Sequence, residues 1–268
     1  MKHKKKWNRA MITGICIIAF FLAVAVLAPL IAPYDPNEMI RGYLPPSKEH
    51  ILGTNDVGQD IFSEMIYGTR VSLYIGIFAA CIVTGIGTVL ALISGYFGGV
   101  ADKVITAVTN VAMAVPGLPL TVLMVAYLEP GKWSLIISIS VTAWTGTMRI
   151  LRSRVQQLSQ MPFIKSERAL GVSPAVILYR HILPNVKDII LTRGALTVSS
   201  AMMTEAGLSF LGLGSVTEKS WGGVLHYAFF RNSILKNQVW WYLPPILCIC
   251  VAVLGFMLAG YYGQRKKA

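Results

Sequence analysis

Few side chains in this sequence are placed to do covalent chemistry. Glu205 is the one acidic residue set inside an apolar stretch, and a charge at membrane depth costs at least about 2.5 kcal/mol unless it is paired or faces water. It marks either a solute pathway or a structural pair. Ser209 and His226 are the only pieces from which a serine nucleophile and its base could be built at that depth. His226, however, falls in a stretch outside the apolar runs, and no oxyanion donors present themselves. There is no H-E-x-x-H helix for a metal peptidase and no G-x-x-x-x-G-K-[ST] phosphate loop, so the polypeptide is not expected to hydrolyse ATP itself. Cys16, Cys81, Cys248 and Cys250 sit in apolar runs without paired metal-ligand spacing and read as small buried hydrophobes. Met202 and Met203 read as packing. No cofactor and no metal is expected in this chain.

The elements that would carry these residues follow from the solvent the composition implies. Hydrophobic residues make up 54% and charged residues only 13% of the 268, whereas a soluble domain is about a quarter charged. A net charge of +12 raises the question of nucleic acid. The basic residues lie in short stretches between apolar runs, with no aromatic-interleaved basic face, so that class is excluded. Runs of roughly 18 or more apolar residues mark membrane helices, because a hydrocarbon core of about 30 Å takes about 20 helical residues to cross. The expected class is therefore all-α and polytopic.

Residues 11–31 follow a basic leader of Lys2, Lys4, Lys5, Lys6 and Arg9. Ala23-Val24-Ala25 resembles a signal-peptide cleavage site, yet the run exceeds the roughly 7 to 15 residues of a cleavable segment, so a retained anchor is expected. Residues 71–93 and 104–128 carry no charge, and residues 133–148 run charge-free to Arg149. Residues 239–262 are flanked by Trp240, Trp241 and Tyr242 at one end, and by Tyr261, Tyr262, Arg265, Lys266 and Lys267 at the other, an aromatic belt and a basic flank. Residues 189–211 are weaker, with Arg193 near one end and Glu205 inside; the two lie about 18 Å apart along a helix, too far to pair. Pro116-Gly117-Leu118-Pro119 breaks the third run, as a packing kink or as a bend lining a pathway. About six spans with both termini in the cytoplasm place 17 of the 24 Lys and Arg inside and 7 outside, the asymmetry the positive-inside rule demands.

Two long connections remain: residues 32–69 outside, and residues 152–188 inside, between spans four and five. The inner one has helices written into it. Pro162 and Gly171 bracket a short helix over Phe163, Ile164, Glu167, Arg168, Ala169 and Leu170, and Ser173-Pro174 starts another. Such a segment either lies on the membrane surface or docks a cytosolic partner.

The stretch Ser166-Glu167-Arg168-Ala169-Leu170-Gly171-Val172-Ser173, followed by Arg180-His181-Ile182-Leu183-Pro184-Asn185, resembles the EAA loop of bacterial ABC importer permeases in the dipeptide, oligopeptide and nickel branch. Tyr34-Asp35-Pro36, the run from Leu52-Gly53-Thr54-Asn55 through Gly58-Gln59-Asp60 to Arg70-Val71-Ser72-Leu73, and Gly207-Leu208-Ser209-Phe210-Leu211-Gly212-Leu213-Gly214 with Trp221-Gly222 resemble the same branch. Their order is that of the second permease type of the pair. There are two departures. Where the family loop commonly reads E-A-A-R-A-L-G, the acid is displaced by two positions and Lys165 stands in its place; and Gly58-Gln59-Asp60 replaces the usual G-R-D.

The resemblance implies an anchor and external segment over residues 1–70 and a transmembrane domain over 71–268, in the bacterial inner membrane. It also implies a second permease, two cytosolic ATPases that bind the ATP and Mg, and an extracytoplasmic binding protein. Phe163, Ile164, Ala169 and Leu170 are the expected apolar contacts to an ATPase, Glu167 and Arg168 the polar ones, and Gly171 the turn; Glu205 and Pro116 are the candidate pathway residues. The segment from Tyr34 to Arg70 would meet the binding protein or pack over the second permease. Peptides and nickel share the pattern. His50, His226 and the methionines form no ligand set that favours metal, so peptides are the expected solute and nickel or a metal chelate the alternative. A passive channel and an intramembrane protease are remoter readings.

Overall fold

The computed structural model describes residues 9–215 and 217–263. The basic leader Lys2, Lys4, Lys5 and Lys6 and the basic flank Arg265, Lys266 and Lys267 lie outside the described residues. Within them the chain is helical, with no strand: α1 (Arg9–Ile31), α2 (Ile61–Phe97), α3 (Gly99–Ala114), α4 (Gly117–Tyr127), α5 (Lys132–Ser159), α6 (Pro162–Ala169), α7 (Pro174–Ile177), α8 (Leu183–Phe210), α9 (Trp221–Phe230) and α10 (Val239–Tyr262). A single π-helical turn, Leu178–Ile182, joins α7 to α8.

Helices α1, α2, α5 and α10 are long and apolar enough to cross a membrane, and α3 with α4 adds a fifth candidate bent by 84°. The bend falls at Pro116, whose missing N–H and restricted predecessor break the helical ladder. Helix α8 has 28 residues, but its charged and hydroxyl side chains dilute its apolar content. Two boundaries depart from the expected ones. Helix α5 does not stop where the charges begin at Arg149 but runs on to Ser159, because arginine, glutamine and leucine are good helix formers whether or not lipid surrounds them. The connection to α8 is correspondingly shorter. Helix α2 begins ten residues before the charge-free run; Asp60 caps it by accepting from Ser63 N at 2.8 Å.

Helix α2 is the central post, packed by α5, α8 and α1. Towards the α9 end, Phe21, Met65, Met202, Trp221 and Trp241 form one buried cluster. Towards the α6 end, Ala91, Leu151, Val155, Ile164, Ile177 and Val186 form another. Leu30, Val100 and Tyr127 stand on outward faces, as expected of helices whose solvent is hydrocarbon. Cys16, Cys81 and Cys250 also lie outward, not in the protein core, since a small apolar thiol loses nothing against lipid.

Helices α1 and α10 pack backbone to backbone. A methyl group on Gly14 would stand 2.7 Å from Ala259 N, and one on Gly255 would stand 2.6 Å from Ile17 Cγ2, so only glycine permits this approach. Segment 32–60 has no regular element, yet its backbone is satisfied internally: Ile40 N donates to Gly58 O at 3.0 Å and Tyr43 N to Asn55 O at 2.9 Å. His50 Nδ1 lies 2.9 Å from Asp60 Oδ1, with both residues buried.

Candidate functional site

Helix α6 is short, opened by Pro162 at its first turn and closed by Gly171 at φ +77°. Gly171 N donates to Arg168 O and Val172 N to Glu167 O, both at 3.1 Å, the paired bonds of a Schellman stop that needs a left-handed residue. The expected site residues divide between the two faces of this helix. Phe163 and Leu170 are 46% and 81% exposed, and Ala169 is exposed beside them, whereas Ile164 is 0% exposed. Ile164 packs with Leu151, Val155 and Leu158 of α5 and with Ala91 and Tyr96 of α2, so it fastens the helix to the chain's own spans. Arg168 Nη2 donates to Tyr96 O at 3.1 Å, and its guanidinium lies 4.2 Å from the Tyr96 ring centre. Glu167 Oε1 lies 2.9 Å from His181 Nε2 on the π-helical turn. Both expected polar contacts are thus engaged within the chain.

Behind α6 sits a junction that sequence reasoning did not single out. Arg152 Nε and Nη2 each donate to Asp102 at 2.6 Å, a bidentate pair. Ser94 Oγ donates to the same carboxylate, and Gln156 Nε2 reaches it at 3.3 Å. The last turn of α2, the first turn of α3 and α5 at Arg152 are pinned at one point, two residues along α2 from Tyr96. The only signal in the sequence is a lone acid, Asp102, between two apolar runs, with several arginines that could answer it.

Glu205 lies inside the bundle and is 0% exposed. Ser209 Oγ donates to it at 2.8 Å and Ser72 Oγ at 3.0 Å; Ser72 Oγ in turn accepts from Trp221 N at 3.3 Å. Trp221 Nε1 donates to Met65 O at 3.1 Å. Glu205 therefore joins α8 to α2 and to the start of α9, with hydroxyl partners and no ion pair among the described residues. Ser209 and His226 are not a catalytic pair: the serine serves Glu205, and His226 Nδ1 bonds Phe210 O at 2.7 Å. Met202 fills the space left by Gly76, while Met203 faces outward.

A groove of about 200 Å³ runs between α4, α5 and α8, lined by Gly117, Thr121, Thr142, Thr197, Ser200 and Thr204 among others. Thr121 and Thr142 meet across it at 3.0 Å. Pro116 stands at its edge, in the bend that aims α4 at α5. Glu205 is not among its lining residues. At the α9 end, Lys219 Nζ lies 2.9 Å from Glu64 Oε1 and 2.6 Å from Gln59 Oε1, and Asn55 Nδ2 donates to both of those oxygens. Lys132 with Glu218 at 2.6 Å and Arg231 with Asp56 at 2.7 Å complete the ties there.

Residues 87–266 match the family described as binding-protein-dependent transport system inner membrane component. The chain belongs to this family. Residues 6–46 match the N-terminal transmembrane domain of oligopeptide transport permease C. The oligopeptide transport system permease protein OppC of Bacillus subtilis is 34% identical over 94% of this chain and 83% of its own length. The dipeptide transport system permease protein DppC of Alkalihalophilus pseudofirmus is 34% identical over 97% and 85%. Among solved structures, the inward-facing MetNI methionine ABC transporter matches with a TM-score of 0.57 at 18% identity, covering 76% of this chain and 98% of that one, a likeness of fold. The permease chain is thus a multi-pass inner-membrane component of an ABC importer, and ATP hydrolysis lies in partner subunits.

Proposed function

We propose that this chain is one of two different permeases of a peptide importer, working with two cytosolic ATPases and an extracytoplasmic binding protein. The preference for peptides over nickel rests on the relatives, which carry oligopeptide and dipeptide names over nearly the whole chain. In this reading α1, α2, the bent α3–α4, α5, α8 and α10 are six spans with both termini in the cytoplasm. The distribution of Lys and Arg supports that orientation.

The observation that carries the reading is the two-sidedness of α6. Its apolar outer face, Phe163, Ala169 and Leu170, is free for a groove on an ATPase, and its inner face is fixed to the ends of α2 and α5 through Ile164 and Arg168. A push on such a helix moves whole spans, because packed interfaces shift as rigid bodies. The groove between α4, α5 and α8 would be this chain's share of the pathway, with Pro116 setting its edge and Glu205 holding its wall from behind. The chain needs no cofactor of its own; ATP and Mg belong to the ATPases. The test is purification of the tagged chain from its native membrane with mass spectrometry of what accompanies it. A second permease, two ATPases and a binding protein that takes peptides and not Ni²⁺ are expected. Recovery of the chain alone or as a homo-oligomer would reject the assembly of two different permeases.

A further inference from the structure

Among the described residues Arg193 is a charge without a partner. Its Nε is buried and meets no acceptor among the described residues, and it belongs to none of the ion pairs found there. It lies about 15 Å along α8 from Leu183, at the cytoplasmic end of the stretch that the six-span reading puts in the membrane. An arginine cannot discharge itself by losing its proton, and ionisable groups at that depth face a cavity or pathway and pair with something.

Its position says which cavity. Arg193, Thr197, Ser200 and Thr204 follow one another at helical spacings of four, three and four, so they form one stripe on α8. The last three line the groove, and Arg193 is its continuation one turn towards α6. On the facing helix, Gly146 continues the Thr142 stripe, and a methyl group built there would lie 3.7 Å from Arg193 Nη2. The guanidinium therefore reaches across to α5 where that helix offers no side chain.

The groove is otherwise uncharged. Thr197 and Thr204 spend their protons on the carbonyls of Arg193 and Ser200, at 2.7 and 3.0 Å. Their lone pairs are left as acceptors, suited to the N–H groups of a peptide backbone. A run of acceptors ending in one unpaired guanidinium fits an extended chain that ends in a carboxylate, which arginine binds through two parallel hydrogen bonds.

We propose that Arg193 receives the free α-carboxylate of a peptide passing through the groove, and so favours solutes with an unblocked C-terminus. The assignment rests on the peptide reading above. The test uses proteoliposomes carrying the complete importer, with one peptide supplied as free acid and as C-terminal amide, each at a level that saturates the binding protein. Arg193→Gln is expected to slow uptake of the acid about tenfold and leave the amide unchanged, with Arg193→Lys in between. As a second readout, Arg193→Cys should react with an anionic methanethiosulfonate reagent, and turnover with the free-acid peptide should slow that reaction. Equal slowing of acid and amide, or no protection of the cysteine, overturns the proposal. Failure of Arg193→Gln to assemble with the second permease also overturns it, by assigning the guanidinium to an acid on that partner. A wild-type importer that carries neither peptide would instead defeat the peptide reading itself.

Discussion

Glu205 shows what a single buried carboxylate does here. It accepts from hydroxyls on α2 and α8, and through Ser72 it also touches the backbone of Trp221 at the start of α9. Replacing it with alanine strands Ser72 and Ser209 and opens a void. Glu205→Ala should cost ~3 kcal/mol and lower the thermal midpoint of the purified permease complex. Glu205→Gln keeps an acceptor of the same shape and should import at close to the wild-type rate. The opposite pattern, with stability unchanged and transport lost in Glu205→Gln, would return the residue to the solute path. The sequence showed that Glu205 matters but not why: an acid inside an apolar run reads the same whether it faces water or two serines. Phe163 and Ile164 were equally indistinct, being adjacent apolar residues on a helix too short for its periodicity to show which one faces inward.

At the scale of elements, charge-free runs located the helices because lipid leaves no other way to satisfy a backbone. The same signal failed where helices leave the apolar layer. Helix α9 does not show in the sequence because Trp221-Gly222-Gly223 reads as a loop; Gly222 lets it lie against α8, where a methyl group would stand 2.6 Å from Ala206 O. Contacts between distant elements were illegible altogether, as with Lys219 and Glu64. That pair explains one departure noted in the sequence. Gln59 stands where the resembled G-R-D pattern has arginine, and Lys219 brings a cation to the same place from the α8–α9 connection, touching Gln59 and the buried Glu64 together. Lys219→Ala should leave the Glu64 carboxylate uncompensated, cost about 3 kcal/mol and loosen segment 32–60 to protease. Adding Gln59→Arg should restore resistance, since a guanidinium at 59 reaches the same carboxylate. If the double variant is as sensitive as the single, the charge at this junction is incidental.

For the whole molecule, the proposed coupling requires that a push at α6 become movement of the spans. Three ties converge there: Ile164 in the α2–α5 core, Arg168 on Tyr96, and the Asp102–Arg152 pair behind them. The first two depend on where α6 ends, and Gly171 at φ +77° sets that end. Gly171→Leu has open space for its side chain but a backbone that leucine resists. It should insert and assemble normally while import and solute-stimulated ATP hydrolysis fall at least tenfold. Normal import by this variant would show that α6 does not transmit the stroke.

The packing of α1 on α10 bears on how such a molecule is made. Of the described helices, the first to leave the ribosome has its closest mate in the last of them, through contacts that only Gly14 and Gly255 permit. Until α10 follows, α1 must wait in the bilayer with its glycine face against lipid, held by α2 and, through Phe21 on Trp221, by the start of α9. The seam that closes the bundle is thus the final one to form, and a chain released before α10 would leave it open.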